Sequence, residues 1–137
     1  MVVNVLLNLH RYNIVVLYSY QLVNHVQGIL ILMIIVKPTH RLILFYQINT
    51  THHDSYYSFI LGELVPSLQK MGLHMLYAWQ VYGSIEYERQ IDFICQGEDV
   101  IRRVLNDWRF LRVETRLKSY TTSYRRKVVI YANRYQL

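Results

Sequence analysis

An α+β fold ordered strand, helix, strand, strand, helix, strand is what the sequence predicts from Thr39 onward. Three observations carry that expectation. "RLILFYQI", Arg41 to Ile48, is a β-branched, aromatic and apolar run bounded by loop chemistry. A stretch from about Ser55 to Met71 repeats apolar residues at helical spacing and stops at Gly72. Two more strand-like runs, Leu73 to Tyr82 and Glu86 to Gln96, are separated by "GSI", which reads as a hairpin turn.

Each element follows from local chemistry. After the first strand, "NTTHHD" supplies turn and cap residues, with Thr51 or Asp54 placed to accept from the first free amides of a helix. In that helix Tyr57, Leu61, Leu64, Leu68 and Met71 share one face, which predicts burial of all five. Pro66 lies inside it, pressing on the carbonyl four residues earlier. That residue is Gly62, so a kink there is sterically easy.

The second strand is apolar on both alternating sets, Leu73, Met75, Tyr77 and Trp79 against His74, Leu76, Ala78 and Gln80, which predicts that both sheet faces are partly covered. In the third, Arg89, Ile91, Phe93 and Cys95 alternate with Gln90, Asp92 and Ile94. Gly97-Glu98-Asp99 opens a second helical region, with acids where a helix start favours them. Val100, Val104, Trp108 and Leu111 mark its expected buried stripe, and "YRRKVVIYA", Tyr124 to Ala132, is the last strand.

The 137 residues suit one main domain, and Cys95, the one cysteine, cannot form an internal disulfide. A buried, inert thiol in a reducing, cytoplasmic setting is the expectation. All nine acids lie between Asp54 and Glu114, so the net charge of +6 is unevenly spread. From Tyr12 to Val36 no Asp, Glu, Lys or Arg occurs, a length that could cross a bilayer as a helix of about 20 residues. Asn13, Ser19, Gln21, Asn24, His25 and Gln27 interrupt that run. Residues 1–36 are therefore set apart from 37–137 as a hydrophobic N-terminal extension, with three readings open: a membrane anchor, an added strand or helix, or upstream translation that is not native.

A strand-helix-strand-strand-helix-strand order suggests a ferredoxin-like antiparallel sheet with two helices on one face. If the other face is apolar, a second copy would cover it. "LVPSLQKMGLHMLYAWQVYG", Leu64 to Gly83, followed by a hairpin strand and by "NDWRFL", Asn106 to Leu111, resembles the NIPSNAP family of dimeric α/β barrel proteins. The features that carry the resemblance are Pro66, Leu68-Gln69-Lys70, Gly72, Trp79-Gln80 and Asp107-Trp108, within residues 38–137. The family pattern has a proline before the Trp element, and Asn106-Asp107-Trp108 has none. The resemblance implies a barrel made by two chains. It supplies no catalytic motif.

Candidate site residues are few. Tyr46, Tyr77 and Trp79 read first as barrel core or dimer interface, with an aromatic ligand pocket as the functional alternative. His74 could shuttle a proton, or serve as a hydrogen-bonded structural residue. Arg89 and Asp92 stand on opposite alternating faces, so they cannot pair simply, and whichever is buried needs a partner. His52-His53-Asp54 reads as a solvent-facing loop, and neither a metal nor another cofactor is expected.

Nucleic acid is disfavoured, because "EYERQIDFICQ" lacks the glycines of an RNA-binding third strand and carries acids where phosphates would come. No P-loop, G-x-S-x-G, G-x-G-x-x-G, H-E-x-x-H or paired-Cys spacing occurs. The expectation is a homodimeric small-molecule or protein-binding module, bacterial and cytoplasmic, with membrane contact only through residues 12–36. The alternative is a cofactor-independent oxygenase of the same architecture, with His74 or Arg89 beside Tyr77 and Trp79.

Overall fold

The computed structural model describes residues 2–9, 14–22, 29–80 and 89–132, with side chains from Val36 onward, Thr50 apart. The chain divides into two compact units, residues 1–38 with 132–137, and residues 39–131. In the first, strands β1 (Val2–Leu9), β2 (Ile14–Leu22) and β3 (Ile29–Val36) pair antiparallel in that order. Leu6 faces Leu17 across the first ladder, and Leu17 faces Ile34 across the second. The run read as a possible membrane-crossing helix is thus built of strands where it is described. Among the described residues no helix is long and apolar enough to cross a membrane.

The second unit contains β4 (His40–Ile48), α1 (His53–Phe59), a π turn (Ile60–Leu64), α2 (Val65–Lys70), β5 (His74–Gln80), β6 (Arg89–Cys95), α3 (Glu98–Leu105), α4 (Trp108–Tyr120) and β7 (Thr121–Ile130). Its four strands pair antiparallel in the order β5-β6-β4-β7, an α+β arrangement compatible with a ferredoxin-like sheet. The "GSI" turn and Glu86 to Glu88 lie outside the described residues. Helices pack on one face, over Leu42, Leu44, Tyr46 and Ile48 of β4 and Ile91, Phe93 and Cys95 of β6.

Two helical segments differ from the sequence expectation, each for a local reason. Tyr57 and Leu61 are 38% and 69% exposed, while Tyr56 and Ile60 are buried in their stead. Pro66 has no amide hydrogen and crowds the preceding turn. The chain responds with the π turn, in which the Val65 amide donates to the Ile60 carbonyl five residues back. That widened turn rotates everything before it by one residue. Leu64 at its end, and Leu68 and Met71 after it, are buried as expected.

Further along, α3 stops at Leu105 and Asp107 starts a new helix by accepting from the Arg109 amide at 2.8 Å. Side-chain bonding from Arg109 and its backbone amide pull the Asp107 carboxyl down to about 2. The break resets the helical phase. Phe110, Val113 and Leu117 are buried, whereas Trp108 is 68% exposed and Leu111 is exposed. Gly72 and Gly97, which end α2 and precede α3, both hold positive φ, the conformation for which glycine is suited.

Candidate functional site

Register across the sheet decides which candidate residues can meet. On the face away from the helices three rows run from β5 to β7: His74, Ile94, Arg41 and Val129; then Tyr77, Asp92, Ile43 and Lys127; then Trp79, Gln90, Phe45 and Arg125. On the helix face Tyr46 stands opposite Arg89. The sheet therefore separates the six candidates into His74, Tyr77, Trp79 and Asp92 on one side and Tyr46 and Arg89 on the other.

A bulge makes the first group. Strict alternation would put His74 and Trp79 on opposite faces. The register of β5 against β6 shifts between Met75 and Tyr77, and Leu76 is the extra residue. Beyond it Tyr77 and Trp79 turn to the same side as His74. Their rings lie 4.8 Å apart and tilted by 43°.

Beside them Asp92 is 1% exposed. Its Oδ1 accepts from Gln90 Nε2 at 2.9 Å, and its Oδ2 lies 3.2 Å from Arg41 Nη1 without hydrogen-bond geometry. Burial pushes the Asp92 carboxyl up, against the opposing pull of Gln90 and Arg41. Burial also lowers the His74 imidazole, whose Nδ1 makes no hydrogen bond among the described residues. Unsatisfied buried polar atoms of this kind are uncommon and costly. Arg41 is a residue the sequence reading did not single out. Its signal was a lone cation in an otherwise apolar strand, on the face where Asp92 needed a partner.

The helix side is organised differently. The Tyr46 and Tyr56 hydroxyls meet at 2.6 Å, and Arg89 Nη2 donates to the Tyr57 hydroxyl at 2.7 Å. A second bulge sets Ser123 and Tyr124 of β7 against Tyr46, with Ser123 at a φ of 52°. It stacks the Tyr124 ring 6.5 Å from that of Tyr46. Tyr124 donates to Glu114 Oε1 at 2.8 Å, and Arg126 does so at the same distance. Burial, with the Tyr56 charge and hydrogen bond, raises the Tyr46 hydroxyl, and burial together with Glu114 raises that of Tyr124. Neither phenol is placed to give up a proton near neutral pH.

The other residues weighed from the sequence pack elsewhere, except that His53 meets Tyr57, the hydrogen-bond partner of Arg89. His52 meets the edge of Tyr120 and His53 that of Tyr57. Cys95 is buried, and burial pushes its thiol up to about 11. A groove of about 370 Å³ opens between α3 and β7, lined by His40, Ile101, Leu105, Val128 and Ile130 among others, and none of the six candidates reaches it. No protein-family model matches this chain, and no curated protein does either.

Proposed function

We propose that this chain is a homodimeric binding module of the NIPSNAP-like, dimeric α/β barrel type, which takes a small hydrophobic or aromatic molecule or a protein surface on the β5 side of its helix-free sheet face. The observation that carries the reading is the Tyr77–Trp79 pair standing over Asp92, a buried carboxylate with one oxygen lacking a hydrogen bond. Apolar rings with a few fixed polar atoms are the composition of small-ligand sites. Trp79 is 37% exposed, and an exposed aromatic patch is also what a second copy would cover. The oxygenase alternative asks for His74 or Arg89 beside Tyr77 and Trp79. His74 shares their face and Arg89 does not. Around Tyr46 the helix side is filled by side chains such as Leu42, Leu44 and Phe93 that expose 1% of their surface or less. A cytoplasmic setting rests on the single free thiol of Cys95.

Light scattering and native mass spectrometry on the full-length chain, beside Trp79→Ala, test the proposal. A dimeric mass with a co-purifying aromatic or lipid-like molecule, both weakened in the variant, supports it. A folded monomer with nothing bound contradicts it.

A further inference from the structure

The second outlying feature of this unit is the edge of the sheet farthest from Trp79. Strand β7 pairs with β4 on one side, ends the described sheet on the other, and lines the α3 groove on its helix face. Its residues from Arg125 to Val128 are exposed, and Ile130 is 72% exposed.

Backbone parity shows which groups this edge offers. The Tyr131 amide donates to the Thr39 carbonyl at 2.9 Å, so Tyr131 turns its amide toward β4. Amide and carbonyl of one residue leave a strand on the same side, and successive residues alternate. Val129, Lys127 and Arg125 therefore turn theirs to β4, and Ile130, Val128 and Arg126 turn theirs outward. The outward residues are also those whose side chains lie on the helix face, where Val128 and Ile130 line the groove with Ile101 and Leu105. A strand laid along this edge would put alternate side chains into that groove. This geometry is that of strand addition to an exposed sheet edge.

Charge selects the occupant. Arg125, Arg126 and Lys127 are consecutive on the edge, with Arg102 and Lys118 on the neighbouring helices. Arg102 pairs with Glu98, and Arg126 and Lys118 with Glu114, so among these groups the cations outnumber the carboxylates and the edge keeps a positive excess. Two copies of β7 brought edge to edge would set these cations near one another, an arrangement that like charges oppose. An acidic strand meets no such opposition.

We propose that the β7 edge is a docking site for an extended acidic peptide with alternating apolar residues, held by outward backbone groups of Arg126, Val128 and Ile130 and by one or two apolar side chains in the α3 groove. The site lies at the opposite edge of the sheet from Tyr77 and Trp79.

Fluorescence anisotropy of the full-length chain with a short fluorescein-labelled peptide alternating Glu and Val, against its Lys-Val counterpart, tests this. Saturable binding of the Glu-Val peptide that weakens with added salt is expected, with weaker or no binding of the Lys-Val peptide. Val128→Pro removes an outward amide and no ladder bond to β4, a substitution that sheet edges accept. It should weaken binding at least about tenfold with an unchanged circular dichroism spectrum. Lys127→Glu, which leaves the backbone intact, should weaken the Glu-Val peptide and favour the Lys-Val one, and it serves if the proline variant misfolds. Equal affinity for both peptides, no binding of either, or full binding by a folded Val128→Pro protein overturns the proposal. So does a self-association that Val128→Pro abolishes, because a second copy would then hold the edge.

Discussion

The two faces of the four-stranded sheet are built from the same four strands and bury their polar groups differently. On the helix face the tyrosine hydroxyls have partners: Tyr46 meets Tyr56, Tyr57 receives Arg89, and Tyr124 donates to Glu114. On the other face Asp92 and His74 keep buried atoms that make no hydrogen bond among the described residues, and on the helix face Arg89 Nε is in the same state. A satisfied network rigidifies a core, and an unsatisfied one carries a standing cost. The contrast directs experiments to the β5 side of the helix-free face, where the Tyr77 and Trp79 rings stand beside Asp92 and His74, whose buried atoms are left without a hydrogen bond among the described residues.

The largest expected effect falls on the helix face. Phe93 is fully buried between Leu42 and Met75 in register, and Phe93→Ala should cost about 3–5 kcal/mol in urea unfolding. A loss under about 1 kcal/mol would mean that this face is not the core.

Next comes a pH effect on the opposite face. Because burial raises the Asp92 carboxyl, the folded chain holds that proton more tightly than the unfolded chain. The associated stability is present below the ordinary aspartate range and is lost as pH rises through the raised value. Asp92→Asn carries no such charge, so its stability should gain on the wild type from about pH 4 upward and level off once the raised value is passed. Unfolding midpoints taken across that range check the sign, and a gap that narrows with pH would reverse the assignment of burial as the dominant cause.

A smaller effect belongs to the tyrosine pair. Tyr46→Phe deletes a buried 2.6 Å contact and should cost about 1 kcal/mol, with a double-mutant cycle against Tyr56→Phe recovering most of that as coupling. The smallest concerns α4. Trp108→Ser should shift stability by no more than about 0.5 kcal/mol, since that ring is 68% exposed.

The Trp108 prediction also marks where the sequence was legible and where it was not. The strand over Arg41 to Ile48, the stop at Gly72 and the opposite faces of Arg89 and Asp92 could be read from residue type and period-two alternation. Helical phase could be read only between interruptions. Pro66 was visible, but its consequence, a π turn that swaps Tyr57 and Leu61 for Tyr56 and Ile60, depends on how the backbone relieves the clash. Asp107 restarts the helix, and carrying one stripe across that break placed Trp108 and Leu111 inside. The candidate site was hidden by the same kind of event. The bulge at Leu76 brings His74 to the side of Tyr77 and Trp79, and no alternation pattern announces a bulge.

The proposal that the β5 side of the helix-free face is the contact surface is tested most directly by sedimentation equilibrium of the full-length chain beside the Tyr77→Ser, Trp79→Ser double variant. The account predicts a wild-type dimer and a variant that is folded and monomeric. A wild type that stays monomeric at all concentrations, or a double variant that dimerises as tightly as the wild type, would contradict it.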